Sequence, residues 1–180
     1  MRVISGELGG RRLQAPRGRA TRPTSDRVRE ALFSMLGEMH GARVLDLFAG
    51  SGALGIEALS RGAERAVFVE RDTSALRALR ANLDSLDLLA PRVEVRGAEA
   101  LAALGSARGR QETYDLLFID PPYDRAGELA PGLSAALPPL LGPAARVVVE
   151  SDRRAPLELG LPLQRERRYG DTSIRIHQQR

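Results

Sequence analysis

Residues 44–55 read VLDLFAGSGALG, a short apolar run that passes directly into a glycine-rich turn and then into a helical pattern. Gly50, Gly52 and Gly55 match the spacing G-x-G-x-x-G, in which the missing side chains let a nucleotide-type ligand approach the backbone. About 20 residues later the next apolar run ends at Glu70, where a carboxylate can accept hydrogen bonds from ribose hydroxyls. The stretch therefore predicts a strand, a turn and a helix that hold a ligand containing adenosine.

Short apolar runs alternate with amphipathic stretches after this turn, which is typical of a parallel sheet with helical crossovers. The candidate strands are 43–48, 66–70, 92–95, 114–120 and 146–150. The candidate helices are 54–60, 73–86, 98–104 and 127–141. Residues 163–169 and 172–177 flank Gly170 and Asp171, which predicts a closing antiparallel hairpin. We therefore predict an α/β fold with a doubly wound, mainly parallel sheet.

A small extension precedes this sheet. Gly9 and Gly10 predict a hairpin, and Thr24 or Ser25 is the expected cap of a helix that runs to about Leu36. The length of 180 residues suits one domain. We assign residues 1–40 to a basic hairpin and helix, and residues 41–180 to the catalytic part of the same domain.

A second motif follows the fourth candidate strand, where Asp120, Pro121, Pro122 and Tyr123 stand in sequence. In a doubly wound sheet the fourth strand lies beside the first, so their carboxyl ends share one crevice. Asp120 and Tyr123 are therefore expected to face the ligand held by the glycine turn. Two prolines could also serve merely to end a strand, but that reading leaves the acid and the aromatic residue unexplained.

Positive charge is concentrated near the N-terminus, where residues 1–29 contain eight arginines against Glu7 and Asp26. Such an arm suits a phosphate backbone, since arginine can pair bidentately with phosphate oxygens; a solubilising tail is the alternative. The arginines predicted to contact nucleic acid are Arg2, Arg11, Arg12, Arg17, Arg19, Arg22 and Arg27.

The chain has no cysteine, and its two histidines lack ligand spacing, so we predict no metal site. No apolar run approaches the length of a membrane span, and no secretory signal is recognisable, which favours a cytoplasmic protein.

The order of these motifs resembles that of the amino-methyltransferases, which are Rossmann-like enzymes that use S-adenosylmethionine. Residues 22–33 (RPTSDRVREALF) and 46–63 are similar, more specifically, to the RsmD-type small-subunit ribosomal RNA guanine-N2 methyltransferases. The resemblance covers nearly the whole chain. It implies a class I methyltransferase fold, S-adenosylmethionine as cofactor and 16S ribosomal RNA as substrate. The short basic arm offers little recognition surface, so we expect the RNA to be presented in an assembled small-subunit particle, with protein-free RNA as the alternative. Nothing in the sequence demands more than a monomer.

The resemblance also implies roles for individual residues. The residues implied to bind the cofactor are Asp46, Phe48, Ala49, Gly50, Ser51, Gly52, Leu54, Glu70, Arg71, Ala98 and Glu99. Glu99 stands where related enzymes often have aspartate, so the contact to adenine can fall to it or to backbone amides. The implied catalytic residues, which would hold the target base, are Asp120, Pro121, Pro122 and Tyr123. The segment 22–26 either covers the cofactor cleft or is an ordinary helix cap.

The chemistry of the motif agrees with this assignment, because an exocyclic base nitrogen is a poor nucleophile. Asp120 and the main-chain carbonyl of Pro121 could accept its hydrogen atoms, and Asp120 could receive the departing proton. Tyr123 could stack on the flipped base. Three alternatives stay open: an adenine-N6 or cytosine-N4 methyltransferase, a nicotinamide-dependent oxidoreductase and a non-enzymatic RNA-binding assembly factor.

Overall fold

The computed structural model describes residues 1–16, 25–122 and 125–179, and in these residues seven strands form one sheet. The strands are β1 (Arg43–Asp46), β2 (Arg65–Glu70), β3 (Val93–Gly97), β4 (Tyr114–Ile119), β5 (Leu141–Asp152), β6 (Leu163–Tyr169) and β7 (Thr172–Gln178). Their order is β3-β2-β1-β4-β5-β7-β6. Strands β1 to β5 pair in parallel, whereas β7 pairs antiparallel with both β5 and β6. The predicted doubly wound sheet with a closing hairpin is confirmed.

Helices cover both faces of this sheet. They are α1 (Asp26–Leu36), α2 (Ala53–Ser60), α3 (Thr73–Ser85), α4 (Ala100–Gly109) and α5 (Ala126–Ala136). Successive residues of a strand point to opposite faces, so Phe118 is buried with α1, α2 and α3, whereas Leu117 is buried with α4 and α5. In the described part of the chain, no helix combines the length and the apolar character that a membrane crossing requires.

The structure corrects the predicted boundaries around α5. The helix predicted over 127–141 ends at Ala136, and a single 3₁₀ turn, Pro138–Leu140, follows it. Prolines cannot donate the amide hydrogen bonds of a continuing α-helix, which explains the early end. Strand β5 then begins at Leu141, five residues before the predicted start at 146, and its pairing with β4 is interrupted by a bulge.

Other boundaries differ as well, including the end of β3, which was predicted at 95 and lies at Gly97. Helix α4 was predicted over 98–104 but runs from Ala100 to Gly109, because its apolar face continues through Ala107, which is buried. Strand β1 was predicted to end at Phe48 but ends at Asp46, where the chain turns into the glycine loop.

Helix α1 begins as the sequence predicts. The hydroxyl of Ser25 accepts a hydrogen bond from the amide of Val28 at 3.3 Å, which is the N-cap arrangement. The alternative cap, Thr24, lies outside the described residues. Arg29 is unexpectedly buried in this helix, with 1% of its surface exposed. It donates to the carboxylate of Asp26 and to the main-chain carbonyl of Arg2, which ties α1 to the first residues of the chain.

The predicted N-terminal hairpin is present, with main-chain hydrogen bonds of 2.9 Å from Val3 to Arg11 and from Gly10 to Val3. It packs on α2 through polar contacts. Gly6, with φ of +84°, lies so close to α2 that a Cβ atom there would be 1.8 Å from the carbonyl oxygen of Ser60. Only glycine fits both the backbone conformation and the space at this position.

Candidate active site

The glycine loop between β1 and α2 has the geometry of a ligand-binding turn. Gly50 and Gly52 have φ angles of +55° and +85°, values that glycine adopts without steric cost. Gly55 lies against β2, where a Cβ atom would be 2.3 Å from the ring of Phe68. The first two glycines therefore shape the loop, and the third lets α2 pack closely against the sheet.

Asp46 holds this loop in place from below. Its side chain is 2% exposed, and its carboxylate accepts a hydrogen bond from the amide of Gly55 at 3.0 Å. Burial raises the pKa of Asp46 to about 7; the hydrogen bond from Gly55 opposes that shift, and the charge of Glu70 adds to it. The side chain of Asp46 thus joins the end of β1 to the first turn of α2.

Glu70, at the end of β2, lies on the other side of the loop. Its carboxylate accepts main-chain hydrogen bonds from Gly50 at 2.9 Å and from Arg71 and Asp72 at 2.8 Å each. A carboxylate has about four acceptor positions, so three bonds leave room for one more donor. This arrangement fixes Glu70 in one orientation and leaves it able to accept a hydroxyl group.

Asp120 follows β4 and lies between Asp46 and Glu150 at the carboxyl edge of the sheet. Asp46 pairs with Phe118 on β4, and Ile119 pairs with Val149, the residue before Glu150. Burial raises the pKa of Asp120 well above its ordinary value, and repulsion from Glu150 and from Asp46 raises it further. Three strand ends therefore bring acidic groups to one point, beside the glycine loop.

The residues after Asp120 form a turn that leads into α5. Pro121 is buried, and the carbonyl of Pro122 accepts a hydrogen bond from the amide of Arg125 at 2.9 Å. Tyr123, the predicted stacking residue, lies outside the described residues.

The region predicted to contact adenine lies at the ends of β2 and β3. The amide of Ala98 donates to the carbonyl of Glu70 at 3.1 Å, which ties the two strand ends together. Glu99 is exposed and forms ion pairs with Arg71 at 2.5 Å and with Arg125 at 3.8 Å. The hydrogen bond from Arg71 lowers the pKa of Glu99. Glu99 thus joins β2 to the start of α5 across the predicted adenine site.

The remaining predicted cofactor residues belong to the glycine loop. Phe48 and Leu54 are half-buried, and Phe48 packs against the apolar cluster under α4 and α5. Ala49 and Ser51 are buried, and the amide of Ala49 donates to Val69 on β2 at 3.0 Å. These contacts make the loop a rigid continuation of the sheet.

Sequence reasoning missed Asn82, a fully buried side chain of α3. Its amide nitrogen donates to the carbonyl of Ser51 at 2.9 Å and to that of Gln14 at 3.0 Å. Its oxygen accepts the amide of Gln14 at 2.7 Å. Asn82 therefore joins the glycine loop to the N-terminal arm. The signal was its position three residues after Leu79, on the apolar face of the helix.

The predicted nucleic-acid arginines divide into two groups. Arg2, Arg11, Arg12 and Arg27 are exposed, although Arg2 lies 3.5 Å from Asp26 and Arg11 donates to a main-chain carbonyl of α3. Arg17, Arg19 and Arg22 lie outside the described residues, together with most of the segment 22–26. Within the described ranges, no group of three or more acidic or histidine side chains is arranged to hold a metal ion.

Comparisons with known proteins place this geometry in context. Residues 1–178 match the model of a family described as Conserved hypothetical protein 95. The chain is 41% identical to the protein YlbH of Bacillus subtilis over the full length of both chains. It is 35% identical to ribosomal RNA small subunit methyltransferase D of Haemophilus influenzae, covering 99% of this chain and 93% of that protein. The solved structure of yhhF from Escherichia coli is 35% identical, with a TM-score of 0.84 over 99% of this chain and 97% of that one.

Proposed function

The chain belongs to the family described as Conserved hypothetical protein 95, and we propose that it transfers a methyl group from S-adenosylmethionine to the exocyclic N2 of a guanine in small-subunit ribosomal RNA. Membership confirms the RsmD-type resemblance that the sequence predicted. The observation that carries the proposal is the meeting of the glycine loop, Glu70 and Asp120 at adjacent strand ends.

The cleft suits S-adenosylmethionine on physical grounds. The loop at Gly50 and Gly52 lets the methionine part approach the backbone, and Glu70 has an acceptor position left for a ribose hydroxyl. The cofactor, when bound, supplies a methyl group activated by a positively charged sulfur. A positively charged ligand would reduce the repulsion that Glu150 and Asp46 exert on Asp120, which favours its binding beside these acidic groups.

Asp120 is the residue that acts on the target base. Its carboxylate and the main-chain carbonyl of Pro121 accept the two hydrogen atoms of the exocyclic amine, which directs the nitrogen lone pair away from the ring. The nitrogen gains a methyl group and loses one proton, which Asp120 accepts. The raised pKa of Asp120 brings its proton affinity nearer to neutral pH, where a general base is most effective.

Positioning accounts for more of the rate than proton transfer does. General-base assistance contributes about 10²- to 10⁴-fold, whereas correct placement of two reactants can supply roughly 7 to 11 kcal/mol of the barrier. We assign Tyr123 to stacking on the target base, a contact worth about 1 to 3 kcal/mol. The base must leave any duplex to reach the cleft.

The substrate is, in this proposal, an assembled small-subunit particle in the cytoplasm, and the enzyme acts as a monomer. Residues 1–40 form the RNA-contacting extension and residues 41–180 the catalytic part. Four exposed arginines of the extension, Arg2, Arg11, Arg12 and Arg27, support this division. The remaining three predicted arginines belong to the same segment by sequence.

The test is to incubate the protein with S-adenosylmethionine and undermethylated small-subunit particles, and to identify the modified nucleoside by mass spectrometry. We expect N2-methylguanosine, and we expect it to be lost in Asp120→Ala. The matched control is Asp115→Ala, which removes a carboxylate from the opposite end of the same strand, where it pairs with Arg43. The appearance of N6-methyladenosine would contradict the assignment of guanine as the target base. The absence of methylation on particles, free RNA and DNA would contradict the proposed methyltransferase activity.

A further inference from the structure

A groove of about 390 Å³ lies between the C-terminal half of α1 and the closing hairpin, away from the catalytic cleft. Its walls include Met35 and Leu36 of α1, Arg146 of β5, Arg165 of β6 and Ile176 of β7. The bulge at the start of β5 lines the same groove through Ala144, whose φ of +59° is unusual for a residue other than glycine. The groove is therefore formed by α1 together with the strands β5, β7 and β6 at one edge of the sheet.

The charged side chains of β6 alternate between the two faces of the sheet. Arg165 and Arg167 pair with the buried residues Ile176 and Ile174 and lie on the face that carries α1. Glu166 lies on the opposite face, where its carboxylate accepts hydrogen bonds from Ser173 and Arg175. The arginines are therefore separated from the acid beside them in sequence.

Three arginines on the α1 face have no acidic partner among the described residues. Arg146 donates to the main-chain carbonyl of Leu36, and burial lowers its pKa. The side chain of Arg167 donates only to the main-chain carbonyl of Glu166, and the side chain of Arg165 has no hydrogen bond or ion pair within the described ranges. By contrast, Arg168 and Arg175, on the other face, each lie within 3.3 Å of a carboxylate. The face beside α1 thus carries three arginines that form no ion pair with a carboxylate in the described part of the chain.

The arginines of this face extend toward the catalytic cleft. Arg167 pairs with Ile174, and Ile174 pairs with Glu150, the neighbour of Asp120 on the next strand. Three strand spacings of about 4.8 Å put the backbone of Arg167 roughly 15 Å from that of Asp120. The N-terminal hairpin lies on the other side, against α2 and α3. A bound strand could therefore contact both basic regions while one base enters the cleft.

We propose that Arg146, Arg165 and Arg167 form a second contact surface for the phosphate backbone of the RNA substrate, distinct from the N-terminal arm. The inference rests on the proposed function for the identity of the RNA. Guanidinium groups that lack an acidic partner gain charge-assisted hydrogen bonds to phosphate oxygens, and their binding to RNA releases counterions. Charges on an edge strand also prevent strands from pairing between molecules, so the test must separate the two roles.

The test compares the double variant Arg165→Gln/Arg167→Gln with Arg108→Gln, an exposed arginine at the far end of α4. Binding to a small-subunit ribosomal RNA fragment is measured by fluorescence anisotropy at several salt concentrations, and methylation of particles is measured in parallel. We expect the double variant to raise the Kd for the RNA fragment and the KM for particles about three- to ten-fold. The slope of the logarithm of the binding constant against the logarithm of the salt concentration should fall in magnitude by about 0.7 to 0.9 for each lost contact. We expect kcat and the affinity for S-adenosylmethionine to stay unchanged.

A second variant, Arg165→Glu/Arg167→Glu, keeps the edge charged but reverses its sign. If the surface binds RNA, this variant weakens binding more than the glutamine variant does and remains monomeric in solution. If Kd and the salt slope are unchanged in both variants and the wild type methylates normally, the proposed RNA-binding surface is wrong and the proposed function still stands. RNA binding that depends on these arginines without any methylation would support the surface and overturn the proposed enzyme.

Discussion

Two hairpins flank the sheet, and they are attached to it in opposite ways. The closing hairpin joins the sheet through main-chain pairing, in which residues 146–152 of β5 face residues 172–178 of β7. The N-terminal hairpin is anchored instead by three buried polar side chains of α2 and α3, namely Glu57, Ser60 and Asn82, in addition to the apolar contacts of Val3 and Leu13 in the core. Main-chain pairing spreads the attachment over many residues, whereas buried polar side chains concentrate it in a few. The second kind is therefore far more sensitive to single substitutions.

Glu57 is expected to give the largest effect. Its fully buried carboxylate accepts the amides of Ile4 at 2.6 Å and of Ser5 at 3.1 Å, and it pairs with Arg61 at 2.7 Å. Removing one partner of a buried charge network costs about 3 to 5 kcal/mol, because the remaining groups lose their compensation. We expect Glu57→Ala to lower the free energy of unfolding by about that amount in urea denaturation. Glu64→Ala, an exposed acid nearby in sequence, is the control and should change it by less than about 0.5 kcal/mol.

Asn82→Ala should give the next largest effect. The change leaves the main-chain groups of Gln14 and the carbonyl of Ser51 without their partner, which costs about 1 to 3 kcal/mol. Hydrogen exchange should show the loss of protection at residues 1–14, while β6 and β7 keep theirs. Arg80→Ala, an exposed residue of the same helix, should leave both hairpins protected. Equal loss in both hairpins would contradict the separate attachment of the first.

Ile174→Val tests the closing hairpin in the same way. Ile174 is buried on β7, and the loss of one methylene there costs about 0.5 to 1.5 kcal/mol. The main-chain pairs with β5 and β6 do not depend on the side chain, so the hairpin should stay paired. Thermal unfolding checks the cost, and hydrogen exchange checks the pairing. Selective loss of protection across 163–178 would show that this hairpin, too, depends on single side chains.

His177 lies in the closing hairpin, and its titration should make the stability of the fold depend on pH, which is the smallest of the expected effects. Burial on β7 lowers its pKa; the hydrogen bond to Leu161 and the charge of Glu158 oppose the shift, and Arg175 adds to it. The folded protein then binds the proton less readily than the unfolded chain, whose histidine titrates near pH 6.5. Stability from this group is therefore present above about pH 6.5 and is lost as the pH falls further.

The measurement is the free energy of unfolding of the wild type minus that of His177→Asn, between pH 7.5 and 5. Subtraction cancels the contributions of Asp46 and Asp120, whose raised pKa values act in the opposite direction. We expect the difference to fall with decreasing pH by no more than about 1.4 kcal/mol per pH unit. A difference that stays constant would show that His177 does not titrate in this range.

The same contrast explains what the sequence could predict. The closing hairpin was visible because Gly170 and Asp171 lie between two strand-length runs, and the catalytic motifs were visible because strand ends carry Glu70 and Asp120. Strand order follows from the general rule for doubly wound sheets, so these residues could be brought together without a structure. Their predicted roles in binding and catalysis stay predictions.

The attachment of the N-terminal hairpin could not be predicted, because buried polar side chains carry no periodic signal of their own. Glu57 looks like any polar residue of a helix, and Arg29 was counted with the basic arm although it is buried in α1. The early start of β5 was missed because Gly142 and Pro143 are usually found in turns, and here they form a bulge within a strand.

Asn82 has a consequence for the order of events during synthesis. Gln14 is synthesised 68 residues before Asn82, the side chain that holds it. At rates of about 5 to 20 residues per second, roughly 3 to 14 s pass between the synthesis of Gln14 and that of Asn82. During that interval the arginine-rich segment is close to ribosomal RNA; Glu57 and Ser60 of α2 become available first to hold residues 4–8, and only the completion of α3 fixes the chain at Gln14.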